Sequence, residues 1–495
     1  MENRDFDSMI ARDLEGLPIP QQEMEEITPW KQATGRIVWG GGLTSFTLQF
    51  LYLDYLLPAI GTILLWLGFR TLRQENRHFR LCYVISLLRL GGELIALSVL
   101  ATTWGAEGGM QGWVLLLGLF PLLQYICLWK AIKSVRQKAG QPPETSEAKA
   151  LVVWYSVVGV LALMGAQGLL FGLPMLIAYV LIIKNLSKIP ELLDGVGYQV
   201  QAAPVRLSDR TAWAGWIAAV LACIVLCGAL FGRYPMAWAP VADGEHAGLE
   251  RVEDRLEMLG MPLDVLADLS AADLYALADA ISVAVEVSEH PFNDGRMEEQ
   301  IHENDAGYKY VWQSTVYDVY ELKIQSIAIQ LPNERWKVIH HFQWQEEPAV
   351  RGTECIQLFP VDRWGQAGFV LEGALSGRVL YDHGGTTYTS SYHSLARESY
   401  ITNSLLIGNQ MNDNPVAKFS LPRQGENCRG YVAYEMRQVY PGYYLDSWMT
   451  YARQTGRSNY PLKTAWQYVT TAMFWDGPFM QAQTAIQVDT TGEGE

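Results

Sequence analysis

Cysteine, histidine and, over the second half, positive charge are scarce in this 495-residue chain. Each shortage closes off a class of function. Of six cysteines, Cys82, Cys127, Cys223 and Cys227 fall in apolar runs, where a thiol acts as a small apolar side chain. Only Cys355 and Cys428 are left to form a disulfide in the polar half, so a disulfide-stapled scaffold is excluded while a single bridge is not. The eight histidines include no set spaced with carboxylates or cysteines for zinc. His383 lies in a turn and His393 follows a Thr/Ser/Tyr run.

Catalytic signatures are missing as well. There is no phosphate-cradling glycine loop, zinc-protease helix, paired-cysteine ribbon or nucleophile elbow; Gly373-Ala-Leu-Ser376-Gly377 comes nearest and has the wrong spacing. The carboxylate pairs Glu298/Glu299 and Glu346/Glu347 read as solvated surface. The expectation is a protein that is not an enzyme and holds no cofactor or metal.

The missing positive charge is unevenly placed. Of 37 basic and 52 acidic residues, residues 1–232 hold 18 and 17, leaving 19 and 35 for the remainder. An acidic domain of that kind repels nucleic acid and anionic lipid surfaces as general partners. No Asn-x-Ser/Thr sequon follows Gly232, and that absence with the sparse cysteine points to a bacterial plasma membrane.

What the first half has is apolar length. Residues 151–184 and 212–231 exceed the roughly 18 apolar residues of a membrane helix. Basic clusters separate such runs: Arg70, Arg73, Arg77 and Arg80; Lys130, Lys133, Arg136 and Lys138; Lys184, Lys188, Arg206 and Arg210. The positive-inside rule places all three in the cytoplasm. Between them residues 79–131 and 150–184 read as helical hairpins with tips near Thr103–Gly112 and Gly165–Gly168. Residues 33–72 read as two helices meeting near Asp54, with Pro58 early in the second. The last span, Trp213–Phe231, then exits, leaving the N-terminus cytoplasmic and residues 233–495 extracytoplasmic. The first 30 residues lack a basic, apolar leader, so the first span is expected to do the targeting.

The chain thus divides into a cytoplasmic segment 1–30, an α-helical transmembrane bundle of about seven spans over 31–232, a juxtamembrane helical module over 233–300 and a β-rich domain over 301–495. In the first segment Phe6, Met9, Ile10, Leu14 and Leu17 have helical spacing, so residues 6–17 form a candidate docking helix for a cytoplasmic partner. Leu249, Val252, Leu256 and Leu259 open the juxtamembrane module, and Ser270 with Asp273 resembles a capping box. From Tyr308 the composition is that of β-sheet. Leu322–Leu331 and Arg335–Gln345 flank Pro332-Asn333, and Arg378–Tyr381 and Thr386–Thr389 flank Asp382-His383-Gly384-Gly385. Further strands are expected at Cys355–Phe359, Phe369–Leu375, Arg429–Arg437, Tyr443–Tyr451 and Gln481–Val488, giving a sandwich or jelly roll.

Few residues stand out chemically. Arg89 lies near mid-membrane with Glu93 on the same helix face, a candidate intramembrane polar site for an ion, proton or anionic group, or else a packing pair helped by Gln124 or Gln167. His340 alternates with Trp336, Val338, Phe342 and Trp344 and is expected as a hydrogen-bonded core residue. His341 points the other way, toward solvent. Trp312, Trp336, Trp344, Trp364, Trp448, Trp466 and Trp475 are expected mostly in the core, with exposed rings at Tyr440-Pro-Gly-Tyr-Tyr444 and at Asp476-Gly-Pro-Phe479.

The runs Ile339-His-His-Phe-Gln-Trp344, Thr353-Glu-Cys-Ile-Gln-Leu358 and Arg429-Gly-Tyr-Val-Ala-Tyr434, with Pro58-Ala-Ile-Gly and Leu67-Gly-Phe-Arg70, resemble a group of uncharacterised bacterial multi-spanning membrane proteins with a C-terminal extracytoplasmic β-rich domain. The resemblance implies architecture and source and carries over no functional residue. The residues leave three functional expectations: an envelope protein whose exterior domain binds a ligand or partner, a transport or lipid-handling protein using Arg89 and Glu93, or a membrane-anchored regulator that docks a cytoplasmic factor through residues 6–17.

Overall fold

The computed structural model describes residues 29–45, 52–109, 111–143, 145–164, 169–292, 297–303, 308–315, 320–360, 368–404, 408–457, 459–471 and 478–490. The expected helix over 6–17, the tip Gly165–Gly168 with Gln167, Trp364, Trp475 and the first two residues of the Asp476–Phe479 turn lie outside the described residues. The chain forms two compact units, Met1–Leu97 with Met110–Cys223, and Ser98–Gly109 with Ile224–Glu495.

The helical half contains α1 (Pro29–Ser45), α2 (Leu53–Leu72), α3 (Arg77–Val99), the short α4 (Thr103–Ala106), α5 (Gln111–Lys138), α6 (Ser146–Leu163), α7 (Leu169–Leu186), α8 (Ile189–Gly195) and α9 (Asp209–Phe231). Among the described residues five stretches are long and apolar enough to cross a membrane: α2, α3, α6, Phe171–Gly195 and α9. Helices α1 and α5 occupy the two remaining places at which a crossing is expected. On α9, Ile217, Leu221 and Val225 are at least half exposed, an arrangement costly in water and free of cost in hydrocarbon.

Residues 33–72 form two helices, as the sequence suggests. Their contact depends on glycine: a Cβ on Gly40 would lie 2.7 Å from the Gly61 carbonyl oxygen, and one on Gly61 would lie 2.8 Å from that of Gly40. Small residues at such a crossing let two backbones approach without a side chain between them. Gly40→Ala is therefore expected to cost about 1–3 kcal/mol. Thermal unfolding of the detergent-solubilised protein should show the loss, whereas Gly35→Ala, with nothing within 4 Å of the added carbon, should leave it unchanged.

The three basic loops meet at one end of the first unit. Glu75, almost wholly buried, accepts from Lys138 Nζ at 2.9 Å, from Tyr198 OH at 2.8 Å and from the Gln201 backbone N–H at 2.8 Å. Arg70 donates to the Leu207 carbonyl at 3.1 Å and pairs with Asp209 at 2.5 Å, and Arg36 pairs with the same carboxylate.

The second unit begins with β1 (Ala239–Pro240), α10 (Glu250–Met258), α11 (Leu263–Asp268) and α12 (Ala271–Tyr275). It continues with β2 (Ser282–Phe292), β3 (Met297–Glu303), β4 (Lys309–Thr315), β5 (Tyr320–Leu331), β6 (Arg335–Trp344), β7 (Glu354–Phe359), β8 (Phe369–His383), β9 (Thr386–Ser390), β10 (Ser394–Ser404), β11 (Gly408–Phe419), β12 (Glu426–Gln438), β13 (Leu445–Gln454), α13 (Ala465–Thr470) and β14 (Phe479–Val488). A seven-stranded sheet runs β1-β9-β8-β12-β6-β5-β2 and a five-stranded sheet β10-β11-β7-β13-β14; β3 and β4 form a separate ribbon. The two larger sheets enclose one core. Phe342 and Trp344 of β6 and Tyr434 of β12 meet Ile356 of β7 and Met449 and Tyr451 of β13.

The other face of the seven-stranded sheet is covered by the short helices. Leu256, Val265, Leu266 and Leu274 pack on Ile327, Ile339, Tyr431 and Ala433. This layer corrects two expectations. The helical module does not extend through 233–300, because the helices end at Tyr275 and Ser282–Phe292 is a sheet strand. His341 is not solvated: it is fully buried, with Nε2 2.8 Å from Asp268 Oδ2 at the end of α11. Asp268 also takes Arg429 Nε at 2.8 Å, and Arg378 Nε donates to the Asp268 carbonyl at 2.9 Å. Ser270 caps α12 by accepting from the Asp273 N–H at 3.2 Å, but the reciprocal half of the capping box is altered. The Ser270 N–H goes to the Tyr431 hydroxyl at 3.0 Å, while Asp273 serves Lys337 and Ser376.

Phe369–Leu375 and Arg378–Tyr381 are one strand, bent where its register with β12 shifts between Ala433 and Glu435. Trp336 and Trp344 are core, whereas Trp312 is exposed. Tyr440 and Tyr444 are exposed, as expected, whereas Phe479, expected as an exposed ring, is buried at the start of β14.

His340 is the core histidine that the alternation predicts, bonded through Nδ1 to Ser326 Oγ and through Nε2 to Ser447 Oγ, each at 2.8 Å. Burial pulls its pKa down to about 3. On β7, Glu354 is fully buried, its closest cation being Arg453 Nε at 3.8 Å, and burial pushes its pKa up to about 7. The two groups affect stability with opposite signs. Between about pH 4.5 and 6.5 folded Glu354 holds a proton that the unfolded chain has released, so stability falls as pH rises by about 1.4 kcal/mol per unit. Over the same window the unfolded chain protonates His340 and the folded chain does not, so stability rises with pH at a similar slope. The wild type should show near-cancellation. Glu354→Gln should expose the histidine slope, with stability dropping on acidification below pH 6.5 in denaturant titrations; a flat profile in that variant would contradict the assignment.

A candidate ligand cavity in the second unit

A partly open cavity of about 1110 Å³ forms in the second unit where the chain leaves α9. Helix α9 ends at Phe231, and Gly232 permits the exit: a Cβ there would lie 2.4 Å from the Gly228 carbonyl oxygen. The next residues run extended along the sheet edge. The Tyr234 N–H donates to Ser420 Oγ at 3.1 Å, the Ala237 N–H donates to Ser390 Oγ at 3.1 Å, and Ala239–Pro240 pairs with β9 as β1. The segment Ser98–Gly109 supplies a second wall. Thr103 Oγ1 reaches the Phe231 carbonyl at 3.4 Å, and the Leu462 N–H reaches the Leu100 carbonyl at 2.7 Å. The loop Ser420–Gln424, between β11 and β12, supplies the third.

The walls are chemically divided. Val99, Cys227, Leu230 and Phe231 give an apolar side made from the ends of α3 and α9, two helices long and apolar enough to cross a membrane. Trp238 stands edge-on to Tyr381 at 4.9 Å, and Tyr234 stacks on His393 at 4.9 Å. The polar side holds Glu107, Arg233 and Arg423. Glu107 is committed, accepting from Tyr234 OH at 2.9 Å and lying 3.7 Å from Lys418 Nζ. Burial beside that carboxylate pushes the Tyr234 phenol up, so it stays a neutral donor. Arg233 bonds the Leu421 carbonyl, and Arg423 bonds that of Ala229. Neither has a carboxylate within 4 Å among the described residues, and the Arg233 Nε is buried without a partner. Burial and the charge of Arg423 pull Arg233 down to about 10, which leaves it cationic at neutral pH.

The candidate site residues of the sequence, Arg89, Glu93, Cys355 and Cys428, lie outside the cavity lining. In the first unit Arg89 is partly buried on α3 and donates to Gln124 Oε1; Glu93 makes no ion pair with it within 4 Å among the described residues. Tyr125, Tyr155 and Tyr179 lie within electrostatic reach of the guanidinium. The Tyr125 and Tyr155 rings are 5.6 Å apart, and Ser45 Oγ is 3.3 Å from the Tyr125 hydroxyl. Cys355 and Cys428 are free buried thiols on β7 and β12, in different sheets, and burial pushes both upward in pKa.

Sequence reasoning missed the cavity because its walls come from segments more than 300 residues apart along the chain. A usable signal exists in the Arg233-Tyr234 pair directly after the last apolar run, the residue types that favour a membrane–water boundary.

No family model matches the chain. No curated protein matches it. Among solved structures, one of pH-induced modulation of Streptococcus parasanguinis adhesion by Fap1 fimbriae aligns with 43% of this chain and 98% of its own, at 11% identity and a TM-score of 0.19. Likeness at that level carries no argument about fold or function.

Proposed function

We propose that the chain is a multi-pass protein of a bacterial plasma membrane whose second unit is an extracytoplasmic, non-enzymatic ligand-binding module, with the 1110 Å³ cavity as its site. The carrying observation is the cavity itself: a concave, mainly apolar space with a few convergent polar groups, the general form of a small-molecule site. Two facts support the membrane setting. The cavity wall includes the last turn of α9, a helix apolar enough to span, and Ser98–Gly109 belongs to the same unit as residues 224–495. By contrast, Glu75 gathers the three basic loops within the other unit. Under the positive-inside rule the basic loops imply a cytoplasmic N-terminus, and the odd crossing after the last of them an exterior C-terminal half.

The test is occlusion. Leu230 lines the cavity and is 56% exposed, so Leu230→Trp fills space without disturbing a packed core. Full-length protein extracted in mild detergent should carry a co-purifying small molecule, seen by native mass spectrometry, that Leu230→Trp reduces at least fivefold. An unchanged adduct in the occluded variant would contradict the site.

A second reading is transport or lipid handling at Arg89, supported by the Gln124 bond and the surrounding tyrosines. Under it, Arg89→Ala or Glu93→Ala abolishes a flux that Leu230→Trp leaves intact.

A further inference from the structure

From the charge arrangement in the cavity we infer that its ligand is an amphiphile with an anionic, phosphate- or carboxylate-type head, clamped by Arg233 and Arg423, and an apolar tail lying against Val99, Cys227, Leu230 and Phe231. The inference rests on the cavity being the binding site and adds the class of molecule that fills it.

Three observations carry it. First, the two guanidiniums line one cavity, each secured through a backbone carbonyl and neither answered by a carboxylate within 4 Å among the described residues. Like charges beside an apolar wall repel at low dielectric, and a shared anion converts that repulsion into two charge-assisted contacts. Second, the one acid in the lining, Glu107, is already engaged by Tyr234 and Lys418 and does not neutralise the arginines. Third, the apolar wall is built from the ends of α3 and α9, so an acyl chain there continues into the hydrocarbon while its head stays at the arginines. The net negative charge of the unit argues against an anionic surface spread across its face, but inside the cavity the local balance is reversed.

The backbone-anchored geometry also separates the two arginines by role. Arg423 is exposed and meets the head from the solvent side, while Arg233, with its Nε buried and unpartnered, closes the site from within. A head with several acceptor oxygens satisfies both; a neutral or zwitterionic head satisfies them less well.

Binding of short-chain phosphatidylglycerol, short-chain phosphatidylcholine and inorganic phosphate to the full-length protein in detergent tests this by native mass spectrometry. Phosphatidylglycerol is expected to bind about tenfold more tightly than phosphatidylcholine. Arg233→Gln with Arg423→Gln should bring that ratio to about one, and the exposed Arg423→Gln alone, which removes no buried group, should lower it to an intermediate value. Leu230→Trp should weaken both lipids together. A ratio near one in the wild type, with Leu230→Trp still weakening both, overturns the anionic head and leaves the cavity as a site. Inorganic phosphate binding as tightly as the lipid overturns the tail. A preference that persists in the double variant overturns the clamp, and indifference of both lipids to Leu230→Trp overturns the cavity itself.

Discussion

Asp268→Ala is expected to lower the unfolding free energy of the second unit by about 3–5 kcal/mol, among the largest losses available from a single side chain in this protein. Asp268 is 2% exposed and sits between Arg429 Nε at 2.8 Å and His341 Nε2 at 2.8 Å. Removing it leaves the Arg429 guanidinium with Asp382 as its one carboxylate among the described residues, at 3.1 Å, besides the Asn427 carbonyl at 2.9 Å, and leaves the fully buried His341 ring without its carboxylate. The cost comes from stranding buried polar groups; Coulomb energy regained in the folded state is the smaller part. Because Asp268 ends α11, the loss should appear first as detachment of the helical layer from the sheet. Hydrogen exchange should report early opening of residues 250–280, with the two-sheet core still protected. Loss confined to the five-stranded sheet would contradict this placement.

Trp344→Ala should cost a comparable amount, about 3–5 kcal/mol, by a different mechanism. Trp344 is 2% exposed, edge-on to Phe292 at 5.3 Å and to Tyr451 at 6.0 Å, with the Arg453 guanidinium 4.6 Å above its ring. The ring joins β6 of one sheet to β13 of the other, so its deletion opens a void between two layers that cannot both collapse into it. The Tyr451 hydroxyl also loses the indole N–H donor at 3.2 Å. Here denaturant unfolding should show a lower midpoint with the whole sandwich still cooperating. Trp344→Phe, which keeps most of the volume, should recover more than half of the loss.

These two residues mark how far the sequence could be read. Trp344 was legible because Trp336, Val338, Phe342 and Trp344 repeat with period two, and a strand with one large apolar face must bury it. The hairpin joining β5 to β6 was legible from Pro332-Asn333, where Asn333 and Glu334 take left-handed φ of 63° and 59°. Asp268 and His341 were not legible, because the helices that cover the second face lie 73 residues before His341 and periodicity cannot show which helix packs on which strand. The helical reading ran too far for a related reason. Leu274, Leu277 and Ile281 keep helical spacing almost to Ser282, and the Val283, Val285, Val287 alternation that announces β2 begins only there.

The candidate site divides in the same way. Arg89 stood out because charge inside an apolar run is costly wherever it falls, and the structure gives it Gln124 in place of the Glu93 pairing. Arg233 and Arg423 did not stand out, since single arginines in polar sequence are unremarkable until folding brings them to one cavity. Only the break in composition at Gly232 pointed toward the place.

The claim that this cavity holds an amphiphile is tested most directly by photolabelling. The full-length protein, reconstituted in bilayers containing a phosphatidylglycerol with a diazirine in its acyl chain, is irradiated and its labelled peptides are mapped. The account predicts labels on the cavity wall, within residues 99–107 and 227–238, suppressed by Leu230→Trp. Labels confined to the lipid-facing positions of α9, such as Ile217, Leu221 and Val225, with none on the cavity wall, would contradict it.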